Sequence, residues 1–177
     1  MSSTCYQYEP LTSESSFRVL RLLPAQRWIG QALPIEIELS EAGLDSPPIF
    51  EAISYAWGQE EANAVVICDG RCLLVTPNVV SVLQALRLSD SSQVLWVDSI
   101  CIDQSSVPER NMQVPRMRSI YRQATKVWVW LGEGWPEVNA AFDFLLEVAE
   151  VMKRAEPSGE SMFHSLERPI GRLHGEQ

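Results

Sequence analysis

The stretch that decides the fold is VLWVDSICIDQ, residues 94–104. Its first part, Val94–Val97, is apolar throughout, which is typical of a parallel strand buried on both faces. Asp98, Asp103 and Gln104 follow this strand, and ligands bind outside the carboxyl ends of the strands in open parallel sheets. The stretch therefore predicts a strand inside a sheet, with a candidate site where that strand ends.

Two more apolar segments predict further strands of the same sheet, namely Phe50–Trp57 (FEAISYAW) and Lys126–Leu131 (KVWVWL). The second of these is also expected to be buried. A helix is predicted to begin at Thr76-Pro77, because threonine suits the N-cap and proline suits the first helical position. Another helix is predicted over Val107–Ala124, with a kink at Pro115.

The remaining elements are predicted on either side of this core. Phe17–Leu23 has the composition of a strand, and Ile35–Leu39 alternates apolar with acidic residues, as a half-exposed antiparallel strand does. Asp69-Gly70 inside Ala64–Val75 is a strong signal for a two-residue hairpin turn. A last, amphipathic helix is predicted to begin near Glu137.

The alternation of strands and helices from residue 50 onward predicts an α/β fold with a parallel sheet flanked by helices. An N-terminal antiparallel strand region and a β-hairpin are expected as additions to that sheet. We expect residues 1–16 to form a flexible N-terminus, 17–154 the α/β domain with its core motifs at 50–132, and 155–177 a disordered tail.

Composition narrows the class of protein. The formal net charge of −9 disfavours a nucleic-acid binder, which needs a basic face for the phosphate backbone. The longest apolar runs are too short to span a bilayer, and the N-terminus lacks the features of a signal peptide. We therefore expect a cytoplasmic protein with no membrane span.

No metal site is predicted. Cys68 and Cys72 flank the hairpin turn in a register that points their sulfurs to opposite faces, which suits neither a disulfide nor a shared metal. The two histidines, His164 and His174, lie in the polar tail, so a mechanism that needs a histidine base is also disfavoured. Free thiols are the expected state of the cysteines.

Polar and aromatic residues gather at the predicted strand ends. Ser54, Trp57 and Gly58 end the first core strand, and Asp98 ends the second. Asp98 has two readings of equal weight: it contacts a ligand, or it accepts backbone N–H bonds and fixes the turn. Trp57 either stacks on a flat ligand or packs into the core.

Ser106-Val107-Pro108-Glu109 matches the capping box, in which serine caps a helix and glutamate reaches back to the cap residue. This pattern explains Glu109 without catalysis, so its catalytic role is the weaker hypothesis. Arg110 follows it and begins a run of arginines that suits either an anion site or a solvated helix face.

Several segments together resemble a known family. The segments are FEAISYAWG (50–58), VTPN (75–78), LWVDSICIDQ (95–104), ER (109–110) and VWVWLG (127–132). In this order and spacing they resemble the heterokaryon incompatibility (HET) domain of filamentous fungi. The resemblance implies a role in non-self recognition, in which programmed cell death follows the fusion of incompatible cells.

The resemblance extends distantly to the Toll/interleukin-1 receptor (TIR) domain, which implies a flavodoxin-like parallel sheet. Some TIR domains hydrolyse NAD through a glutamate on a helix late in the domain. On that analogy Glu137, together with Glu133, stands nearest the catalytic position. Glu109 is the second catalytic candidate.

Three hypotheses follow from the residues and the resemblance. The first is a signalling domain that binds protein partners or self-associates. The second is a glycohydrolase whose carboxylate stabilises an oxocarbenium-like ribose, with NAD or a related small nucleotide as substrate and no cofactor assigned. The third is a truncated, inactive family member. The candidate ligand-binding residues are Ser54, Trp57, Gly58, Asp98, Asp103, Gln104 and Arg110.

Overall fold

The computed structural model of the chain describes residues 5–25, 34–58 and 60–132, together with the helical positions Phe144, Glu147 and Val148. The chain divides into two compact units, Met1–Trp130 and Leu131–Gln177. The predicted start of the last helix at Glu137 and the tail 155–177 lie outside the described residues.

The described part contains seven strands and four α-helices. The strands are β1 (Ser16–Leu22), β2 (Glu36–Gly43), β3 (Glu51–Tyr55), β4 (Ala64–Cys68), β5 (Arg71–Val75), β6 (Gln93–Val97) and β7 (Lys126–Trp130). The helices are α1 (Pro77–Leu86), the single turn α2 (Asp98–Cys101), α3 (Val107–Gln113) and α4 (Met117–Gln123).

All seven strands form one sheet in the order β5-β4-β2-β1-β6-β3-β7. β6, β3 and β7 run parallel to one another, as the sequence predicted for the three core strands. β1, however, pairs antiparallel with both β2 and β6. The sheet is therefore mixed, and the N-terminal strands and the hairpin extend it on one side of the parallel trio.

The two apolar strand segments have different positions in this sheet. β6 lies between β1 and β3, and its residues Leu95, Trp96 and Val97 are fully buried, as predicted, whereas Val94 is half-buried. β7 is the edge strand, and its Val127 and Val129 are exposed. The prediction of a buried strand was therefore wrong for KVWVWL, because an apolar run indicates a strand without fixing its place in the sheet.

The hairpin follows the predicted register, with Ile67 opposite Cys72 and Cys68 opposite Arg71. Both turn residues have positive φ, 49° at Asp69 and 75° at Gly70, as a tight two-residue turn requires. No disulfide joins the four cysteines, all of which lie within the described residues.

The helices begin and break at the predicted prolines. Thr76 is the N-cap residue of α1 and Pro77 is its first residue, as predicted, although the Thr76 hydroxyl makes no capping bond. At Pro115 the chain forms a 3₁₀ turn over Val114–Arg116, which separates α3 from α4. Proline lacks the N–H that would continue an α-helix, so a break at this position follows directly.

Candidate functional site

The carboxyl ends of β3 and β6 come together because the two strands are parallel neighbours. The indole Nε1–H of Trp57, two residues beyond β3, donates a 2.9 Å hydrogen bond to Oδ2 of Asp98, directly beyond β6. Tyr55 at the end of β3 donates a 2.6 Å bond from its hydroxyl to Oγ of Ser99. We call Tyr55, Trp57, Asp98 and Ser99 the strand-end cluster.

Asp98 has both carboxylate oxygens engaged within the protein. Oδ2 accepts from Trp57, and Oδ1 accepts from the backbone N–H of Ser99 at 2.8 Å. Burial raises the pKa of Asp98 above its usual value, and these two bonds partly offset that effect. The carboxylate thus fixes the start of α2 and the position of the Trp57 ring.

The Trp57 side chain is 45% exposed although its N–H is bonded. Its ring is therefore held in a defined orientation and still presents a face to solvent. Gly58, the next residue, is exposed and has φ of 69°, a conformation that other residues rarely adopt. An oriented, half-exposed tryptophan is the kind of side chain that anchors protein interfaces.

Asn78 connects the cluster to the third parallel strand. Its Nδ2–H donates to the Ala56 carbonyl at 2.8 Å, and its Oδ1 accepts from the indole N–H of Trp130 at 2.8 Å. Since Ala56 follows β3 and Trp130 ends β7, Asn78 ties the start of α1 to two strand ends. Tyr121 on α4 is bonded to β3, because its hydroxyl donates to the Ile53 carbonyl at 3.1 Å.

The loop after α2 satisfies its own polar groups. The Gln104 amide donates to the carbonyls of Asp98 at 3.0 Å and Ile102 at 3.2 Å, which caps the C-terminus of this short helix. Asp103 Oδ1 accepts from both the N–H and the hydroxyl of Ser105. Both side chains stabilise the loop conformation in the described structure.

Glu109 is buried and forms a bidentate ion pair with Arg18 on β1. Its Oε1 also accepts from the backbone N–H of Asp103 at 2.8 Å. The capping box is therefore only half formed: Ser106 Oγ accepts from the N–H of Glu109 at 3.3 Å, but the Glu109 carboxylate turns inward to Arg18. The expectation that this carboxylate reaches back to the cap residue was wrong, because a buried arginine is the stronger partner.

A cavity of about 260 Å³ lies beside this ion pair. Tyr8, Pro10 and Leu11 of the N-terminal segment line it on one side, and Pro108 and Met112 of α3 line it on another. The Tyr8 hydroxyl donates to the Ile100 carbonyl at 2.8 Å, which fastens the N-terminal segment to α2.

The structure unites only some of the candidate residues. It brings Trp57 and Asp98 into contact, places Ser54 near them at the end of β3, and links Gln104 to the Asp98 backbone. Arg110 is exposed on α3. Glu137 and Glu133 lie outside the described residues.

Sequence reasoning missed Arg18 and Asn78. Arg18 and Arg21 both lie in the strand β1, and only the structure shows that Arg18 is the buried one, which therefore needs a partner for its charge. Asn78, which follows the proline that opens α1, carries no local signal.

Two further properties hold for the described residues. None of their helices is long and apolar enough to cross a membrane. No group of three or more histidine, cysteine, aspartate or glutamate side chains among them is arranged to hold a metal ion.

These features define an α/β domain whose strand ends present an oriented aromatic residue on a network of internal bonds. The model of the family described as heterokaryon incompatibility protein (HET) matches residues 50–170. Because this match covers more than half of the chain, the chain belongs to the HET family. No solved structure matches the chain.

The chain is also similar to heterokaryon incompatibility protein 6, OR allele, of Neurospora crassa, with 36% identity over 122 residues. That match covers 62% of this chain and 18% of the relative. The chain thus spans less than two thirds of the length of the curated relative that it matches.

Proposed function

We propose that the chain is a signalling domain that takes part in non-self recognition in a filamentous fungus and triggers cell death through protein contacts. Membership of the HET family and the name of the Neurospora relative support the recognition role. The proposal places the chain in the cytoplasm, the compartment that two cells share after fusion. Its working domain spans residues 17–154.

The observation that carries the proposal is the exposed Trp57 ring held by Asp98. The three carboxylates between residues 98 and 110, those of Asp98, Asp103 and Glu109, bond to groups of the protein itself. The strand-end cluster is held by internal hydrogen bonds and carries an oriented aromatic side chain. Such a surface suits binding to a protein partner or to a second copy of the chain.

We also propose that the domain is TIR-like, and the strand order supports this. Numbered along the chain, the parallel strands β3, β6 and β7 stand in the spatial order 2-1-3. This order begins the flavodoxin arrangement 2-1-3-4-5, whose ligands bind where the order reverses. In this chain that point lies between β3 and β7, where Asn78 connects the two strand ends.

The test is expression of the chain in a filamentous fungal host, with growth and viability as the readouts. We expect growth arrest, and we expect Trp57→Ala and Asp98→Ala to abolish it at equal protein level. Leu74→Ala is the matched control, because Leu74 is an exposed apolar residue on the hairpin strand at the opposite edge of the sheet. Unchanged toxicity in both cluster variants would remove the cluster from the proposal.

The flavodoxin-like order also favours the second function, cleavage of the nicotinamide–ribose bond of NAD. Purified protein incubated with NAD and assayed for released nicotinamide tests it. If nicotinamide is released, Glu137→Gln is expected to abolish the release, whereas Glu109→Gln is expected to act only through stability. Absence of release at high protein concentration would rule the hydrolase out.

A further inference from the structure

Two cysteines face each other across adjacent backbone segments. An isolated parallel β-bridge pairs Cys5, at the start of the described chain, with Cys72 on β5. The bridge is held by the N–H of Tyr6, which donates to the Cys72 carbonyl at 2.8 Å. Cys5 is exposed, Cys72 is half-buried, and neither forms a disulfide in this structure.

Paired extended segments lie about 4.8 Å apart, which falls inside the range of about 4.4–6.8 Å between the Cα atoms of disulfide-bonded cysteines. Bridge partners also point their side chains to the same face.

We propose that Cys5 and Cys72 form a reversible disulfide on exposure to a peroxide, and that this bond fastens the N-terminal segment, residues 5–12, to the β4–β5 hairpin. This inference is independent of the proposed function. It assigns a redox modification site at the end of the sheet opposite β7.

The chemistry balances with peroxide as the oxidant. The Cys5 thiolate attacks one peroxide oxygen, the O–O bond breaks, and the departing hydroxide takes up a proton to give water. The Cys72 thiol then attacks the sulfur of the Cys5 sulfenic acid, the S–S bond forms, and the S–O bond breaks with release of a second water. The two thiols lose two electrons, and the peroxide gains them.

The other two cysteines are poorly placed for this reaction. Cys68 and Cys101 are buried, and burial raises the pKa of each thiol to about 12. The thiolate is the reactive form, so both are poor nucleophiles at neutral pH. Cys68 also lies opposite Arg71 in the hairpin register, one position away from the Cys72 pair.

The disulfide would affect the Arg18–Glu109 region by restraining the N-terminal segment that contacts it. Its Tyr8 bonds to the Ile100 carbonyl at 2.8 Å, and its Glu9 carbonyl accepts from Arg18 at 2.6 Å. Arg18 is the ion-pair partner of Glu109. A disulfide that fixes residue 5 therefore restrains the segment that covers this ion pair and lines the 260 Å³ cavity.

The test uses the full chain treated with hydrogen peroxide, quenched with an alkylating reagent and digested with trypsin without reduction. Cleavage after lysine and arginine places every cysteine in a different peptide: 1–18, 28–71, 72–87 and 88–110. We expect a cross-linked pair of peptides 1–18 and 72–87, which dithiothreitol separates. Hydrogen exchange over residues 98–110 should be slower in the oxidised protein.

Two variants make the result decisive. Cys5→Ser changes an exposed residue, so it should fold normally and should lose both the cross-link and the slower exchange. Cys68→Ala should keep both. A cross-link between 28–71 and 72–87, a dimer joined through two 1–18 peptides, or a protein that stays fully reduced would each overturn the proposal.

Discussion

Arg18 on β1 and Glu109 on α3 form a buried ion pair although 91 positions separate them in the chain. Their side chains are only 6% and 9% exposed. Arg18 also donates to the Glu9 carbonyl at 2.6 Å and to the Cys101 carbonyl at 3.3 Å. One guanidinium thus joins the N-terminal segment, α2 and α3, and so fixes the loop between α2 and α3.

The first prediction concerns the loss of this pair. Glu109→Gln removes the charge that balances a buried arginine, and breaking a buried ion pair in this way costs about 3–5 kcal/mol. We expect the free energy of unfolding to fall by about 3 kcal/mol, measured by urea denaturation. The reason is that the Arg18 charge stays buried without its counter-ion.

Two comparisons separate this effect from a general loss of charge. Replacing both partners, Arg18→Met with Glu109→Leu, should recover most of the stability, because no buried charge remains. Glu14→Gln should leave stability unchanged, since that exposed carboxylate lies 3.9 Å from Arg116. If Glu109→Gln were as stable as the unmodified protein, the ion pair would not be what fixes the loop.

The parts of this fold that the sequence predicted are those with local chemical causes. Asp69-Gly70 sets the hairpin register, and Pro77 and Pro115 set where helices begin and break. The apolar run before Asp98 identifies the strand β6, although the run alone does not fix its interior place in the sheet. Each of these depends on residues within a few positions of one another, so the sequence alone suffices.

The parts that were missed depend on pairing across long separations. The antiparallel contact of β1 with β6 makes the sheet mixed, and no turn signal connects those two strands. The Trp57–Asp98 bond spans 41 positions. The sequence therefore predicted that Asp98 contacts a ligand or fixes a turn, and it did not predict the bond to the Trp57 indole. Glu109 fitted a cap locally, while its actual partner lies on β1.

The second prediction is a pH dependence that comes from Asp98. Burial raises the pKa of Asp98 in the folded protein, so the folded state binds more protons than the unfolded state between the two pKa values. The contribution of Asp98 to stability should therefore fall as pH rises from about 4, the pKa of an unfolded aspartate, and level off above the folded pKa. Asp98→Asn should lack this fall, because its amide oxygen still accepts bonds and does not titrate.

Denaturation of both proteins across this pH range gives the difference directly. Trp57→Phe is the informative companion, because it removes the N–H donor that lowers the pKa of Asp98. In that variant the fall should extend to higher pH. A difference between the unmodified protein and Asp98→Asn that does not change with pH would contradict the assignment.

The third prediction concerns Arg87, which follows α1. Its guanidinium donates to three carbonyls, those of Leu23 at 2.9 Å, Pro34 at 2.9 Å and Pro24 at 3.0 Å. Arg87→Met should lower the free energy of unfolding by about 2 kcal/mol, because these carbonyls lose a charged donor. Arg87→Lys should recover less than half of the loss, since an ammonium cannot span the same three acceptors.

Arg122→Met is the matched control for Arg87, because Arg122 is an exposed arginine near the end of α4. It should unfold at the same urea concentration as the unmodified protein. Equal effects of the two substitutions would show that charge, and not the three carbonyl bonds, determines the result.

The fourth prediction uses two glycines with different backbones. Gly70 has φ of 75° in the hairpin turn, whereas Gly43 at the end of β2 has no positive φ, and a methyl group there would meet no atom within 4 Å. Gly70→Ala should lower the free energy of unfolding by about 1 kcal/mol, because an L-residue with a side chain is strained in that conformation. Gly43→Ala should leave it unchanged or raise it by about 0.5 kcal/mol, through the reduced freedom of the unfolded chain. Thermal and urea unfolding of both variants checks this, and a Gly70→Ala protein as stable as the unmodified one would mean that the hairpin turn does not require the left-handed backbone at Gly70.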